Sequence, residues 1–192
     1  TGSEYAGTKV AAAAGRYLKK SVLELGGSDP FIVLEDADLD LATTVAAQSR
    51  MRNAGQSCIA AKRFIVLPKI REEFIHHFQK KIEVLKQGDQ LDSKTDIGPL
   101  ARLDLAEQLE KQLNTTLQQG AKLVMGGKRD GCNFQPALLD RVKPGMVAFE
   151  EEMFGPVAAI ITAKDDQEAI VLANASRYGL GASVWTRDGE RG

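Results

Sequence analysis

Residues 30–67 decide the fold: they open with the apolar run Pro-Phe-Ile-Val-Leu (30–34) and close with Arg-Phe-Ile-Val-Leu (63–67). Each run is short and rich in β-branched and aromatic side chains, which predicts a buried strand. Between them, Asp36-Ala37-Asp38 is typical of a helix N-terminus, and apolar residues recur at helical spacing up to about Met51. A strand, a helix and a second strand in this order predict a parallel sheet with a helix packed on it.

The same alternation continues on both sides of this unit. Further helices are predicted at 8–20, 70–85, 101–119 and 165–174, and further strands at 21–25, 122–125, 157–161 and 182–186, with an extended stretch at 134–142. The predicted fold class is therefore α/β, with a parallel sheet covered by helices on both faces.

Composition excludes several classes of function. The chain has 192 residues, 43% of them hydrophobic, enough for one domain or one domain plus part of another. Its net charge is −1, so no strong field is available to bind nucleic acids or a membrane surface. No apolar run approaches a membrane span and no signal-peptide pattern is present, so we expect a cytoplasmic protein.

The chain offers few ligands for a metal. Its two cysteines, Cys58 and Cys132, are expected to be reduced thiols because a chain of this size and apolar content needs no disulfide. Its two histidines, His76 and His77, are adjacent and would point about 100° apart on a helix, so they share an ion poorly. No metal site is predicted.

Cys58 is the candidate nucleophile. Residues 51–58, Met-Arg-Asn-Ala-Gly-Gln-Ser-Cys, place it just past the predicted helix and a Gly-Gln turn, where the backbone can present a thiol. Its thiolate would then attack an electrophile. The alternative is a small buried core residue, the commoner setting of a free cysteine.

Three other positions could support chemistry. Glu24 ends a predicted strand before a double glycine, so it is either an outward-facing strand residue or a partly desolvated general base. Residues 2–7 contain two glycines and Ser3 and lead into a predicted helix. This helix start is either a phosphate-binding site or a plain N-cap. The acidic run 150–152 leads into an apolar strand, so its last carboxylate is expected near the edge of the core.

Five motifs along the chain resemble the aldehyde dehydrogenase superfamily, in that family's order. They are Thr-Gly-Ser at 1–3, Leu-Glu-Leu-Gly-Gly at 23–27, Gly-Gln-Ser-Cys at 55–58, Glu-Glu-Met-Phe-Gly-Pro-Val at 151–157, and Asn174 through Tyr178-Gly179-Leu180 to Ser183-Val184-Trp185. The resemblance implies a Rossmann-like catalytic domain and NAD(P)-dependent oxidation of an aldehyde.

The resemblance also implies roles for single residues. Cys58 matches the nucleophile that forms a thiohemiacetal and, after hydride transfer, a thioester; Glu24 matches the base that activates water to hydrolyse that thioester. The backbone N–H of Cys58 is a candidate donor to the oxyanion. In the family an asparagine shares this task, and it lies upstream of residue 1, so we expect this piece to be inactive alone.

For the cofactor, the resemblance assigns Gly2 and Ser3 to the pyrophosphate, Glu152 to the nicotinamide ribose, Phe154 to packing by the nicotinamide, and the Leu25 backbone to its carboxamide. The residues that separate NAD from NADP lie upstream, so either cofactor is expected. Family members form dimers or tetramers, so we expect a homo-oligomer of the parent protein.

Arg52 stands six residues before Cys58, and succinate-semialdehyde dehydrogenases are similar in carrying an arginine at this offset to hold the distal carboxylate of the substrate. An arginine–carboxylate contact is charge-assisted and can be bidentate, so it discriminates against neutral aldehydes. The alternative is a solvated side chain or one that caps helix carbonyls.

Both chain ends look cut, which predicts a piece of a longer protein. Residues 1–26 are expected to be the tail of a cofactor-binding domain and residues 27–192 a catalytic domain, with Cys58 and Glu24 at the junction. Two other functions stay open: a thiol esterase that keeps Cys58 and Glu24 without the full cofactor site, and a folded domain without catalysis.

Overall fold

A computed structural model describes residues 1–192. The main sheet contains strands β1 (Asp29–Val33), β2 (Ala61–Val66), β3 (Lys122–Met125), β6 (Ala137–Asp140), β7 (Val157–Thr162) and β8 (Ser183–Trp185), and a small hairpin contains β4 (Arg129–Asp130) and β5 (Asn133–Phe134). The α-helices are α1 (Glu4–Arg16), α2 (Leu39–Met51), α3 (Arg71–Glu83), α4 (Leu103–Gln118), α5 (Val147–Glu150) and α6 (Asp166–Asn174), with 3₁₀ turns at Arg52–Gly55 and Pro68–Ile70.

The strand order is β3-β6-β7-β2-β1-β8. Neighbours from β6 to β8 are all parallel, which confirms the predicted α/β class, and only the outer strand β3 runs antiparallel to β6. The segment between β3 and β6 carries the small hairpin and no helix, so it does not form the crossover that a parallel pair needs. The sequence pattern did not show this reversal at the sheet edge.

Helices cover both faces of the sheet, as predicted. Arg63 and Phe64 are adjacent on β2, so their side chains point to opposite faces. The Phe64 ring packs against Phe74 and Phe78 of α3, while Arg63 donates to the Leu172 carbonyl near the end of α6. The aromatic residues of α3 are therefore core, since Phe74 and Phe78 are fully buried.

Side-chain caps fix the starts of three helices. Asp38 accepts from the Leu41 N–H at the start of α2, as the sequence indicated. Asp165 accepts from the Glu168 N–H, so it caps α6, which begins at Asp166. Ser3 accepts from the Ala6 N–H, so α1 begins at Glu4 and not at residue 8. This cap places the N-terminus of α1 next to the first three residues of the chain.

The predicted strand at 21–25 is wrong. These residues form neither strand nor helix, and 21–24 are exposed. Val22 and Leu23 supplied the strand-like pattern, but no strand of the chain pairs with this segment, and Val22 is 88% exposed. Its link to the fold is instead a hydrogen bond from the Gly2 N–H to the Glu24 carbonyl (3.0 Å).

Candidate active site

A tight turn after α2 presents Cys58. Asn53, Ala54 and Gly55 all have left-handed backbone conformations, with φ of 53°, 52° and 73°. A Cβ at Gly55 would lie 2.2 Å from the Gly155 carbonyl oxygen, so this close approach requires glycine. The turn is closed by three hydrogen bonds between Asn53 and Gln56, two from side chains and one from the Gln56 N–H, each 3.1 Å long. It ends α2 and directs the next residues toward a cleft.

The partly exposed Cys58 lines a cleft of about 800 Å³. Other walls come from the first five residues, the segment before β1, one side of α4, the segment before β7 and the loop after α6. Six of the site residues predicted from the sequence line this one cleft: Gly2, Ser3, Leu25, Cys58, Glu152 and Phe154. The structure thus brings a thiol, a helix N-terminus, a carboxylate and an aromatic ring together.

Two predicted site residues do not line the cleft. The Glu24 side chain is exposed, although its backbone is tied to Gly2 and its neighbour Leu25 is on the cleft wall. Arg52 caps the C-terminus of α2 with its backbone N–H, which donates to the Gln48 carbonyl, and its side chain is exposed. Their predicted roles as base and substrate ligand stay predictions.

Glu152 is held between three elements at the edge of the core, which confirms the placement expected for the last carboxylate of the acidic run. Its Oε1 accepts from the Gly27 N–H (3.1 Å) and lies 3.7 Å from the Lys62 Nζ, and its side chain is 19% exposed. A Cβ at Gly26 would lie 2.4 Å from Oε2, so the double glycine leaves room for this carboxylate. The Gln112 amide donates to the Glu152 carbonyl (3.3 Å).

Lys62, which the sequence analysis did not single out, lies buried directly under the Cys58 turn. Its Nζ donates to the carbonyls of Ser57 (3.1 Å), Cys58 (3.0 Å) and Ala60 (3.1 Å). Burial and the nearby Arg50 charge lower the pKa of Lys62 to about 8, against the opposing effect of Glu152. The available sequence signal was the pair of cations Lys62-Arg63 at the start of an apolar strand run, where buried charges need partners.

Two arginines complete the buried cations beneath the cleft. Arg50 donates through Nη2 to the Gly55 carbonyl, while its Nε and Nη1 have no partner in the chain, and burial lowers the pKa of this guanidinium. Arg63 instead uses all three nitrogens, on the carbonyls of Ser28, Leu172 and Ala173 (2.7–2.9 Å). Of these cations, Lys62 and Arg50 place positive charge near Glu152, and Lys62 also lies near Cys58.

Asp29, at the start of β1, provides a second buried carboxylate near these cations. It accepts from the Gly181 N–H (3.0 Å), which joins the start of β1 to the glycine-rich turn before β8. Burial raises the pKa of Asp29, and the Gly181 bond and the charges of Lys62 and Arg63 oppose that rise. Asp29 is thus a structural partner below the site and does not line the cleft.

Both cysteines are free thiols, and no group of three or more His, Cys, Asp or Glu side chains could hold a metal ion. None of the helices combines the length and the apolar character needed to cross a membrane.

Comparisons with known proteins agree with this geometry. Succinate semialdehyde dehydrogenase Sad of Escherichia coli, whose name gives NAD(P)+ as its cofactor, is 51% identical over 98% of this chain and 41% of its own length. An NADP+ succinate-semialdehyde dehydrogenase of Deinococcus radiodurans is 47% identical over 100% of this chain and 41% of its own length. The chain therefore spans about two fifths of these curated relatives.

Solved structures share the fold closely. The crystal structure of succinate-semialdehyde dehydrogenase from Burkholderia pseudomallei superposes with a TM-score of 0.96 at 37% identity, covering 100% of this chain and 40% of that one. The model of the aldehyde dehydrogenase family matches residues 1–192, from the first residue to the last. Together with the five motifs and the cleft that collects their residues, this match shows that the chain belongs to the aldehyde dehydrogenase family.

Proposed function

We propose that the protein carrying this chain oxidises an aldehyde, with succinate semialdehyde as the preferred substrate, to the carboxylic acid with NAD or NADP. The observation that carries the proposal is the position of the Cys58 thiol, which is partly exposed in the same cleft as Ser3, Glu152 and Phe154. The names of the relatives support the choice of substrate and cofactor.

Cys58 carries the covalent steps. Its thiolate attacks the aldehyde carbon, a C–S bond forms, and the carbonyl π electrons move onto oxygen to give the thiohemiacetal oxyanion. The oxyanion then reforms the C=O bond as hydride leaves the same carbon, and a thioester remains. Water attacks that thioester, the C–S bond breaks, and the acid and the thiol are released.

Several cleft residues suit a nicotinamide dinucleotide. The first turn of α1 leaves backbone N–H groups without helical partners, and Thr1 to Tyr5 line the cleft, so this end can face a pyrophosphate. In the same cleft, the Glu152 carboxylate can accept a hydrogen bond from a hydroxyl group, and Phe154 offers an aromatic face. When bound, the nicotinamide supplies the acceptor for the hydride; the chain's residues hold it and exclude water.

Glu24 is proposed as the base that activates water for thioester hydrolysis. Support comes from the family resemblance and from its backbone, which is fixed by the Gly2 hydrogen bond next to the cleft residue Leu25. Because its side chain is exposed, the proposal needs the carboxylate to rotate toward the cleft when it acts.

Arg52 is proposed to bind the distal carboxylate of the substrate. Its guanidinium is exposed near the Cys58 turn and takes part in none of the ion pairs of the chain. The two arginines that do line the cleft are already paired, Arg102 with Asp104 and Arg177 with Glu4. Arg52 therefore has the freer charge for an acidic substrate.

We also propose that residues 1–26 end a cofactor-binding domain, that residues 27–192 form the catalytic domain, and that the parent protein is a homo-oligomer. The exposed apolar side chains of Tyr17, Leu18 and Val22 lie in the first of these segments and support a neighbour for it. Light scattering of the purified protein would report a dimer or tetramer, and a monomer would refute this part.

The central test uses the enzyme that carries these 192 residues. It should reduce NAD or NADP with succinate semialdehyde, and Cys58→Ala should abolish the reduction, while Cys132→Ala should leave it unchanged. Activity that survives in Cys58→Ala would refute the nucleophile. Equal kcat/KM for succinate semialdehyde and neutral aldehydes would refute the substrate.

A further inference from the structure

The buried amine of Lys62 holds the backbone on both sides of the Cys58 Cα. The Lys62 Nζ donates to the carbonyls of Ser57 and Cys58, two consecutive peptide units, and to that of Ala60. Lys62 is 1% exposed, so these bonds form away from water and are charge-assisted. No other side chain donates to the Ser57 or Cys58 carbonyl, although the Ala60 N–H also reaches Ser57 (3.2 Å).

The direction of these carbonyls sets the direction of the Cys58 N–H. In a planar trans peptide the C=O and the N–H of one unit point in opposite directions. The Ser57 carbonyl and the Cys58 N–H belong to one unit, so when Lys62 holds the carbonyl below the turn, the N–H points away from Lys62. That N–H is the candidate oxyanion donor predicted from the sequence, and Cys58 lines the cleft.

The same amine is coupled to the cofactor side of the cleft. Glu152 lies 3.7 Å from it and supplies a countercharge while also accepting from Gly27. The packing is close, since a Cβ at Gly27 would lie 2.6 Å from the Cys58 carbonyl oxygen. A shift of the Lys62 side chain would therefore move the Cys58 turn and release the Glu152 carboxylate, which lines the cleft.

We propose that Lys62 is a positioning residue that aims the Cys58 N–H at the oxyanion formed during attack on a carbonyl. The proposal rests on the proposed function, because it needs Cys58 as the nucleophile. It assigns Lys62 no contact with the substrate. Among the reactions of Cys58, those that build an oxyanion should depend on Lys62 most strongly.

Two reactions of the same thiol separate this role from a general structural one. Acylation by p-nitrophenyl acetate passes through a tetrahedral oxyanion before nitrophenolate leaves. Alkylation by iodoacetamide displaces iodide at an sp³ carbon and forms no oxyanion. Both need an accessible Cys58 thiolate, and neither needs a nicotinamide cofactor.

The experiment measures both second-order rates for wild type, Lys62→Met and the control Lys69→Met, whose lysine is exposed. Removing an oxyanion donor outright costs about 10²–10³ in rate. We expect Lys62→Met to slow acylation by about tenfold or more, since the N–H is misaimed and not removed. Alkylation should stay within about twofold, and Lys69→Met should match wild type in both reactions.

Equal losses in acylation and alkylation, or no loss in either, would overturn the proposal. If Lys62→Met lacks the native circular dichroism spectrum, the same two rates are measured in Lys62→Gln. Its amide keeps a buried polar group but is uncharged and one bond shorter than the lysine side chain, so it does not reproduce the three bonds of the amine, and the same criterion applies. Cys58→Ala is the separate check: if it still acylates and alkylates at the wild-type rates, the proposed function fails and the role of Lys62 fails with it. If Cys58→Ala loses both reactions but Lys62→Met shows equal losses in the two, only the role of Lys62 fails.

Discussion

The Oε1 of Glu152 accepts a hydrogen bond from the Gly27 N–H at 3.1 Å, which joins the segment before β7 to the segment before β1. The two segments are 125 residues apart in sequence. Gly26, next to Gly27, and Glu152 both line the cleft, and the close packing of these segments leaves little room around the carboxylate.

Gly26→Ala should displace the Glu152 side chain, because the new Cβ would lie 2.4 Å from Oε2. The carboxylate is the end of a flexible side chain, so the fold should survive while the KM for the nicotinamide cofactor rises several-fold. The control is Gly15→Ala, where nothing lies within 4 Å of the new Cβ. Steady-state kinetics with varied cofactor would contradict the prediction if both variants kept the wild-type KM.

Gly55→Ala should destabilise the fold more than Gly131→Ala. Both glycines have a left-handed φ, 73° and 56°, so both variants carry a backbone cost of about 1–2 kcal/mol. Only at Gly55 does the new Cβ also clash with backbone, 2.2 Å from the Gly155 carbonyl oxygen; Gly131 has open space. Urea denaturation measures the two free energies of unfolding, and equal losses would show that the close approach costs nothing.

Lys62 should make stability depend on pH with a defined sign. Burial lowers its pKa to about 8 from 10.5, so between these values the unfolded chain holds a proton that the folded chain lacks. The free energy of unfolding therefore gains a contribution that grows with pH through this window. Arg50, Glu152, Asp29 and Cys58 also act on this amine.

This sign is measured in a Cys58→Ala background, which removes the titration of the thiol. The stability of Cys58→Ala minus that of Cys58→Ala/Lys62→Met should rise between about pH 8 and pH 10. A difference that stays flat or falls over that range would mean that Lys62 keeps its ordinary pKa in the fold.

Glu24→Gln should leave acylation of Cys58 intact and slow hydrolysis of the thioester. A general base contributes about 10²–10⁴ in rate, so steady-state turnover should fall by about 10² or more while a rapid initial burst of NAD(P)H persists. Glu73→Gln, on the exposed side of α3, is the matched control. Stopped-flow absorbance that shows an unchanged steady rate would remove Glu24 from the mechanism.

Arg52→Ala should raise the KM for succinate semialdehyde and leave that for a neutral aldehyde of the same length unchanged. A hydrogen bond to a charged group contributes about 1.5–3 kcal/mol, which corresponds to roughly 10- to 100-fold in kcat/KM. The neutral aldehyde serves as the internal control. Parallel changes for both substrates would show that Arg52 does not bind the carboxylate.

The sequence predicted the elements whose signals are local. The apolar strand runs and the Asp38 cap need only neighbours along the chain, and the structure has them where expected. The wrong strand at 21–25 had a local pattern but no pairing partner, and the direction of β3 depended on the connection to β6.

The residues themselves indicated Cys58, the helix start at residues 2–7 and the position of Glu152 at the edge of the core. The family resemblance added Leu25 and Phe154 and gave all of these residues their expected roles. Gly2, Ser3, Leu25, Cys58, Glu152 and Phe154 line one cleft. Lys62 and Arg50 were missed because a buried cation is recognised by the carbonyls around it, and these become neighbours only after the turn has formed.

The three hydrogen bonds donated by Arg63 have a practical consequence for engineering. Its planar guanidinium binds the Ser28 carbonyl ahead of β1 and two carbonyls near the end of α6, so one side chain connects the start of a strand to the end of a distant helix. A lysine has the same charge but a single nitrogen, and its three N–H groups do not lie in one plane as those of the guanidinium do. Libraries that reshape the cleft for unfamiliar aldehydes should therefore keep this arginine fixed, however far it lies from the bound compound.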